Sequence, residues 1–477
     1  MAIAEAPGVT RTTTVEAGGI EAIPTKARHG SPWQLWATWT APNLEFATIF
    51  VGVIAVAFFG LSFGHAIIAL AFGAALGSLT QGILSTWGPR EGLAQFVLSR
   101  TAFGLRGNIL PAGINTIMAG LGWFAVNSVS GAFALSTLTG MPQVLSLLIV
   151  VVVEVAVAFI GHDLVQVFER YASYVLGVIF LVATITIFTH AHFGYVPKGG
   201  GWSFAGFTLT AAAAFGYAAG WNPYAADYSR YLPKNTRLAI AGWAAGLGNF
   251  ISCIVLMAAG AAAATIAGFN PDDPTTSFVS SMPTVIRDFT LVAIAVGAVA
   301  ANALNIYSGA MSFLAAGIKI KFGLRRAIVA LGFGVIGFFI AWSALADAGT
   351  KYDNFLLVIA YWIAPWLGVV LMDRFLRRGT SISGLLSSAK HYRNPAGIIS
   401  LVVAGAVSIG FFCNETFYLA PIPKAHPGVG DLTPLVGFVL AAVIYYALFQ
   451  AFKPKLGAPL GSEEDVPIGI DAADDVA

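Results

Sequence analysis

Apolar residues in this chain fall in long unbroken runs, not in alternating or one-faced helical patterns. Twelve runs stand out, at roughly 41–61, 64–86, 109–135, 143–161, 172–190, 205–226, 238–267, 289–317, 326–345, 354–373, 396–415 and 432–452. About 20 mostly apolar residues cross about 30 Å of hydrocarbon as a helix. Barrel strands would alternate in polarity and be about half as long. The pattern predicts an all-α membrane protein with twelve transmembrane helices. The layout expected is a tail over 1–38, a membrane-spanning body over 39–452 and a tail over 453–477. The body divides into halves at 39–192 and 203–375, with two appended helices over 396–452.

Composition agrees. Residues of the AVILMFWYC set make up 57% of the 477 and charged residues only 10%. Soluble domains carry about 25% charged residues. A disordered chain is excluded on the same ground. The two cysteines, Cys253 and Cys413, rule out a disulfide scaffold, and a net charge of +2 gives no reason to expect a nucleic-acid partner. The first 30 residues are polar and mixed in charge, with Arg11, Glu16, Glu21, Lys26 and Arg28. No basic region runs into a short apolar stretch, so no cleaved signal peptide is expected. Both tails read as solvated. With the N-terminus inside, 21 of the 25 Lys and Arg residues fall on inside segments, and only Lys198, Arg287, Lys351 and Lys424 fall outside. The positive-inside rule therefore places both termini in the cytoplasm, in a multi-pass protein of the cell membrane.

Two runs are interrupted. The first contains Thr40-Ala41-Pro42-Asn43, and the sixth contains Gly216-Tyr217-Ala218-Ala219-Gly220-Trp221-Asn222-Pro223. Proline removes a backbone donor and clashes with the preceding turn. Lipid cannot satisfy the freed carbonyls. The breaks lie five helices apart, each in the first helix of its half. An odd number of helices per half gives the halves opposite orientation, so a five-plus-five inverted repeat is expected, with the site at the breaks near the midplane.

Polar residues at membrane depth supply the candidate chemistry. Trp123 and Asn127 are four apart and share a helix face. An indole offers a stacking plane and a carboxamide both donor and acceptor. That pair suits a planar heteroaromatic solute, although Gly120 and Gly122 fit close helix packing equally. Asn302 and Asn305 in the eighth run read as substrate contacts or as interhelical hydrogen bonds. Glu45, just past the first break, and Glu154, deep in the fourth run, are intramembrane carboxylates and so functional candidates. Glu45 is preferred for moving a proton, because broken helix ends often line a wet cavity. Asp227 and Asp373 read as ion pairs or gate elements beside Arg230 and Arg374. No cluster has metal-ligand spacing and no phosphate loop is present, so neither metal nor cofactor is expected.

The stretches Gly88-Pro89-Arg90-Glu91-Gly92-Leu93-Ala94-Gln95, Gly122-Trp123-Phe124-Ala125-Val126-Asn127-Ser128 and Gly220 through Pro233 resemble signatures of the purine-cytosine permease family of nucleobase–cation symporters. Asn305-Ile306-Tyr307-Ser308 is similar to that family's eighth-helix motif. The resemblance implies a LeuT-like inverted repeat with broken helices 1 and 6. It also implies import of a nucleobase with a proton or sodium ion. By that resemblance Trp123 stacks on the solute, Asn127 hydrogen-bonds it, Trp221 and Asn305 face them, and Asn43 lies at the first break. The sixth-helix stacking position falls on Trp221, Tyr217 or Phe215. Sodium-coupled relatives supply hydroxyls just before the eighth-helix asparagines. Here that stretch is Gly297-Ala298-Val299-Ala300-Ala301. Proton coupling is therefore expected over sodium, with Glu45 as carrier. The expected solute is cytosine or a purine. The alternatives are allantoin, a hydantoin, uracil, thiamine or a pyridine vitamin, and less readily a membrane-embedded enzyme or a channel.

Overall fold

The computed structural model describes residues 19–459 apart from 161, 272, 319–324, 383–384 and 387–391. Each of the twelve apolar runs is helical. In chain order the principal helices are α1 (Gln34–Thr40), α2 (Phe46–Ala57), α3 (Phe63–Ser85), α4 (Ile109–Ile117), α5 (Phe124–Thr139) and α6 (Gln143–Ile160). They continue with α7 (His162–His190), α8 (Phe204–Ala219), α9 (Ala225–Ser229), α10 (Leu238–Ala263) and α11 (Thr284–Ala315). The last are α12 (Arg325–Ala344), α13 (Ala348–Leu376), α14 (Pro395–Phe412) and α15 (Thr433–Phe452). Among the described residues eight helices are long and apolar enough to cross a membrane, and the bent pair α1–α2 adds a ninth. The protein is an all-α, multi-pass membrane protein.

Both expected breaks are present. A 3-10 turn at Ala41–Asn43 ends α1, Glu45 has extended backbone, and the two halves meet at 59°. A 3-10 turn at Asn222–Tyr224 separates α8 from α9. A third irregularity is a π-helical turn over Met118–Trp123, between α4 and α5. Nothing in the apolar pattern marks it.

Helices cross closely where glycines meet. A Cβ on Gly52 of α2 would lie 1.7 Å from the Met257 carbonyl oxygen of α10. One on Gly260 of α10 would lie 1.7 Å from the Ile49 carbonyl oxygen. In lipid, where apolar burial does not drive helices together, such backbone approach supplies dispersion contact.

Several boundaries differ from expectation. The first helix starts at Gln34, not near 39, and Leu35, Ala37, Thr38 and Trp39 are buried. Its Gln and Thr residues interrupt the apolar run, which hid it. Residues 19–30 are not a solvated tail. Ile20 is buried, the Ile23 N–H donates to the Gly92 carbonyl, and Arg28 Nη1 donates to the Pro89 carbonyl at 2.9 Å. Likewise Ala458–Pro459 pairs antiparallel with Thr380–Ser381. Positions 1–18 and 460–477, also expected as tail, lie outside the described residues.

The anticipated ion pairs are rearranged. Asp373 bonds Arg377 at 2.7 Å, while Arg374 reaches Glu91 at 3.0 Å. Residues four apart share a helix face and adjacent ones do not. Asp373 also accepts from Tyr445 at 2.6 Å and Thr101 at 2.7 Å, which ties α15 and the 100–107 segment to α13. Asp227 accepts from the Gln95 N–H at 2.8 Å. Arg230 donates to Gly19 and Glu21 carbonyls and to Tyr307.

Replacing Gly260 by Val should destabilise the protein by about 1–3 kcal/mol or more through overpacking against the α2 backbone. Gly410→Ala, where a Cβ meets nothing within 4 Å, should change stability by less than about 0.5 kcal/mol. Thermal unfolding in detergent would compare them. A second prediction concerns Glu415, between α14 and α15. Burial, with Asp353 and Asp431 adding repulsion, pushes its carboxyl from an ordinary 4.5 up to about 9. The folded protein thus holds a proton that the unfolded chain releases. This contribution to stability is present below 4.5 and is lost as pH rises towards about 9. Melting temperatures across that range should fall less in Glu415→Gln than in the wild type.

Candidate substrate site

The three irregular backbone segments converge. The π-helical turn ends at Trp123, which is 5% exposed, and the sixth-helix break opens at Trp221, also 5% exposed. Their indoles lie 13° from parallel with centroids 6.5 Å apart. Tyr217 meets Trp123 edge-on at 5.4 Å and 89°. Phe355 does so at 5.1 Å, and Tyr352 packs on the same ring at 6.4 Å. No ring contact is described for Phe215. Trp221 therefore faces Trp123 as a second plane, while Tyr217 is a wall.

The carboxamides form a connected set beside these rings. Asn127 Nδ2 donates to Asn302 Oδ1 at 3.1 Å, and Asn305 Nδ2 donates to the same oxygen at 3.1 Å. Tyr224 donates to Asn305 Oδ1 at 3.1 Å. Asn302 Nδ2 in turn donates to the Phe124 carbonyl at 2.9 Å and to Ser128 Oγ at 3.2 Å. Asn302 is thus the interhelical anchor, with Asn127 and Asn305 arranged around it. The bonding leaves the carbonyl oxygen of Asn127 as its free acceptor.

Asn43 is placed at the first break, as expected, yet its polar atoms are taken up by protein. Its Nδ2 reaches the Trp39 carbonyl at 2.8 Å, Asn249 Oδ1 at 3.0 Å and Ser252 Oγ at 3.0 Å. Its Oδ1 accepts from Trp221 Nε1 at 2.8 Å. Asn43 therefore orients the Trp221 plane. Glu45 caps α2 by accepting from the Ala47 N–H at 2.8 Å, and it accepts from Tyr217 at 3.1 Å. Tyr217 also meets Thr48. A Cβ on Gly297 of α11 would lie 2.9 Å from the Glu45 Cβ, so α11 abuts the break where Glu45 sits.

A mostly apolar cavity of about 180 Å³ lies between α2, α5 and the α12–α13 region, lined in part by Phe46, Phe50, Gly122 and Val126. Tyr352 and Phe355 line it too. These two rings therefore stand between the cavity and Trp123. Sequence reading did not pick them out, because aromatic residues at the start of an apolar helix carry no distinguishing pattern.

A family model described as permease for cytosine/purines, uracil, thiamine, allantoin matches residues 22–437. The chain belongs to this family. It is a permease and not an enzyme. It is 28% identical over 464 residues to a Bacillus subtilis protein provisionally named purine-cytosine permease YxlA, covering 94% of this chain and 98% of that one. It is 29% identical over 454 residues to the purine-cytosine permease fcyB of Emericella nidulans, covering 91% and 88%. Among solved structures, Mhp1, a nucleobase-cation-symport-1 family transporter in a closed conformation with bromovinylhydantoin bound, superposes with a TM-score of 0.73. The identity is 18%, over 92% of this chain and 97% of that one. At that identity the likeness establishes the shared fold.

Proposed function

We propose that this permease imports cytosine or a purine across the cell membrane together with a proton, by alternating access. The observation that carries the reading is the pair of near-parallel indoles, Trp123 and Trp221, at 6.5 Å. A flat ring between them would need about 3.5 Å on each face, so the two indoles would have to part to admit one. The Asn127 carbonyl and the Asn305 carboxamide beside that slot suit the polar edge of a nucleobase. Kinship with purine-cytosine permeases supports the solute class. The proposal includes twelve spans, a five-plus-five inverted repeat with two appended helices, and both termini in the cytoplasm.

Proton coupling rests on Glu45. Its carboxyl lies at the broken helix and holds Tyr217, which walls Trp123. Gaining or losing a proton there changes the bond to Tyr217 and thereby the slot. The hydroxyl-free stretch Gly297–Ala301 offers poor ligands for sodium.

Trp123→Ala should weaken cytosine or adenine uptake about ten- to a hundredfold, in line with about 1–3 kcal/mol for a base stacked on an aromatic ring. Normal uptake by that variant, with equal protein in the membrane, would remove Trp123 from the site. In proteoliposomes an imposed pH gradient should drive uptake without sodium, and Glu45→Gln should abolish that drive. Sodium-driven uptake with no pH gradient would overturn the coupling assignment.

A further inference from the structure

The polar chain beside the slot does not end at Asn302. It continues to a carboxyl group on a helix that contributes nothing else to the site. Ser128 Oγ lies 2.6 Å from Glu154 Oε2, and Glu154, on α6, is fully buried. Its other oxygen, Oε1, has no hydrogen-bond partner among the described residues. A buried polar atom left unpaired forfeits its hydration with nothing in return, so Glu154 is an expensive residue at this position.

Counting hydrogens explains what it does. Ser128 has one hydroxyl hydrogen and two acceptors in reach, Glu154 Oε2 and the Phe124 carbonyl at 2.8 Å. The Phe124 carbonyl, four residues earlier on the same helix, is the default partner of a helical serine. It is also the acceptor that holds Asn302 Nδ2. When Glu154 accepts from Ser128, the Phe124 carbonyl is left to Asn302, and the lone pairs of Ser128 Oγ turn to the second Asn302 N–H. Asn302 then points its oxygen at Asn127 and Asn305. Both must turn their amide nitrogens to it, which leaves the Asn127 oxygen without a partner among the described residues. Without an acceptor at position 154, the Ser128 hydroxyl turns to the Phe124 carbonyl, which Asn302 must then share, and the hold on Asn302 weakens. The donor and acceptor ends of the trio are then free to exchange.

We propose that Glu154 is a positioning residue for the solute site: through Ser128 and Asn302 it fixes which edge, donor or acceptor, the Asn127 carboxamide presents. It thereby sets the choice between amino-substituted and oxo-substituted heterocycles. The proposal rests on the nucleobase reading above and deepens it.

Purified protein would be titrated, by tryptophan fluorescence, with cytosine against uracil and adenine against hypoxanthine. Glu154→Gln keeps an acceptor for Ser128 and should hold the wild-type affinity ratios within about twofold. Glu154→Met keeps the side-chain length without an acceptor and should shift at least one ratio about tenfold, the scale of one hydrogen bond. A merely structural role would weaken both members of a pair equally. Ser128→Ala removes the second acceptor of the Asn302 amide, which likewise weakens the hold on Asn302, and should shift the same ratio. It also tests the link if Glu154→Met yields no folded protein. In the Ser128→Ala background, Gln and Met at position 154 should behave alike. Wild-type ratios in folded Glu154→Met, or in Ser128→Ala, would overturn the assignment, as would equal shifts in the Gln and Met variants. Wild-type protein that binds none of the four compounds would instead overturn the nucleobase reading itself.

Discussion

A helix inside a bilayer must satisfy its own backbone, and this protein interrupts helices three times near one another. Each interruption frees carbonyls and N–H groups that lipid cannot satisfy. Side chains catch them. Asn43 takes the Trp39 carbonyl, Glu45 takes the Ala47 N–H, and Thr48 takes the Asn43 carbonyl. Tyr352 takes the Ala47 carbonyl at 2.9 Å, and Asn249 takes the Ala218 carbonyl at 3.0 Å. Asn302 takes the Phe124 carbonyl just after the π-helical turn. The residues that repair the backbone are therefore also the residues that wall the slot or orient its rings. On the proposed reading, stability and recognition draw on the same side chains here, so a substitution at Asn43 or Asn302 would change both.

That overlap decides which polar groups remain for a solute. Asn43 has the right chemistry to bind one, but its amide is committed to α10 and to Trp221. The Asn305 oxygen is committed to Tyr224. The Asn127 oxygen is spared because its nitrogen is drawn off by Asn302. The aromatic members are treated the same way. Trp221 has its indole N–H fixed, so its plane is held against rotation, whereas Tyr217 is oriented through its hydroxyl by Thr48 and Glu45. Rings with anchored polar ends would lose little freedom were a flat ligand to enter between them, which favours binding by stacking.

The breaks were legible in sequence because proline and glycine act locally: Pro42, Pro223 and Gly220 each disturb the turn in which they stand. The Trp123–Asn127 pair was legible because residues four apart on a helix must share a face. The start of α1 was not, since Gln34 and Thr38 look like loop residues until Trp39 is seen buried. The role of residues 19–30 was hidden because backbone carbonyls of a distant loop have no sequence signature. The partners of Glu154 were hidden for a related reason. Ser128 lies 26 positions away and Asn302 lies 174 beyond Ser128. Only packing of α6, α5 and α11 brings them together. Asn302 and Asn305 were recognised as polar and exceptional, but which was anchor and which was edge depends on the carbonyl of Phe124, which belongs to another helix.

The two intramembrane carboxyls now have distinct surroundings, and the difference bears on how solute and cation would be linked. Glu45 stands at a break, bonded to a tyrosine that touches the slot, with both oxygens engaged. Any change in its protonation alters the helix cap and the slot wall together. Glu154 stands in an unbroken helix, with one oxygen on Ser128 and the other without a hydrogen-bond partner among the described residues. Either protonation state leaves it an oxygen to accept from Ser128, so its task needs no titration. A group that must cycle between states belongs where backbone can move with it, and a group that must hold an amide in register belongs on rigid scaffold. On the proposed reading the break at Leu44 and Glu45 suits the first, and the continuous turn of α6 around Glu154 suits the second.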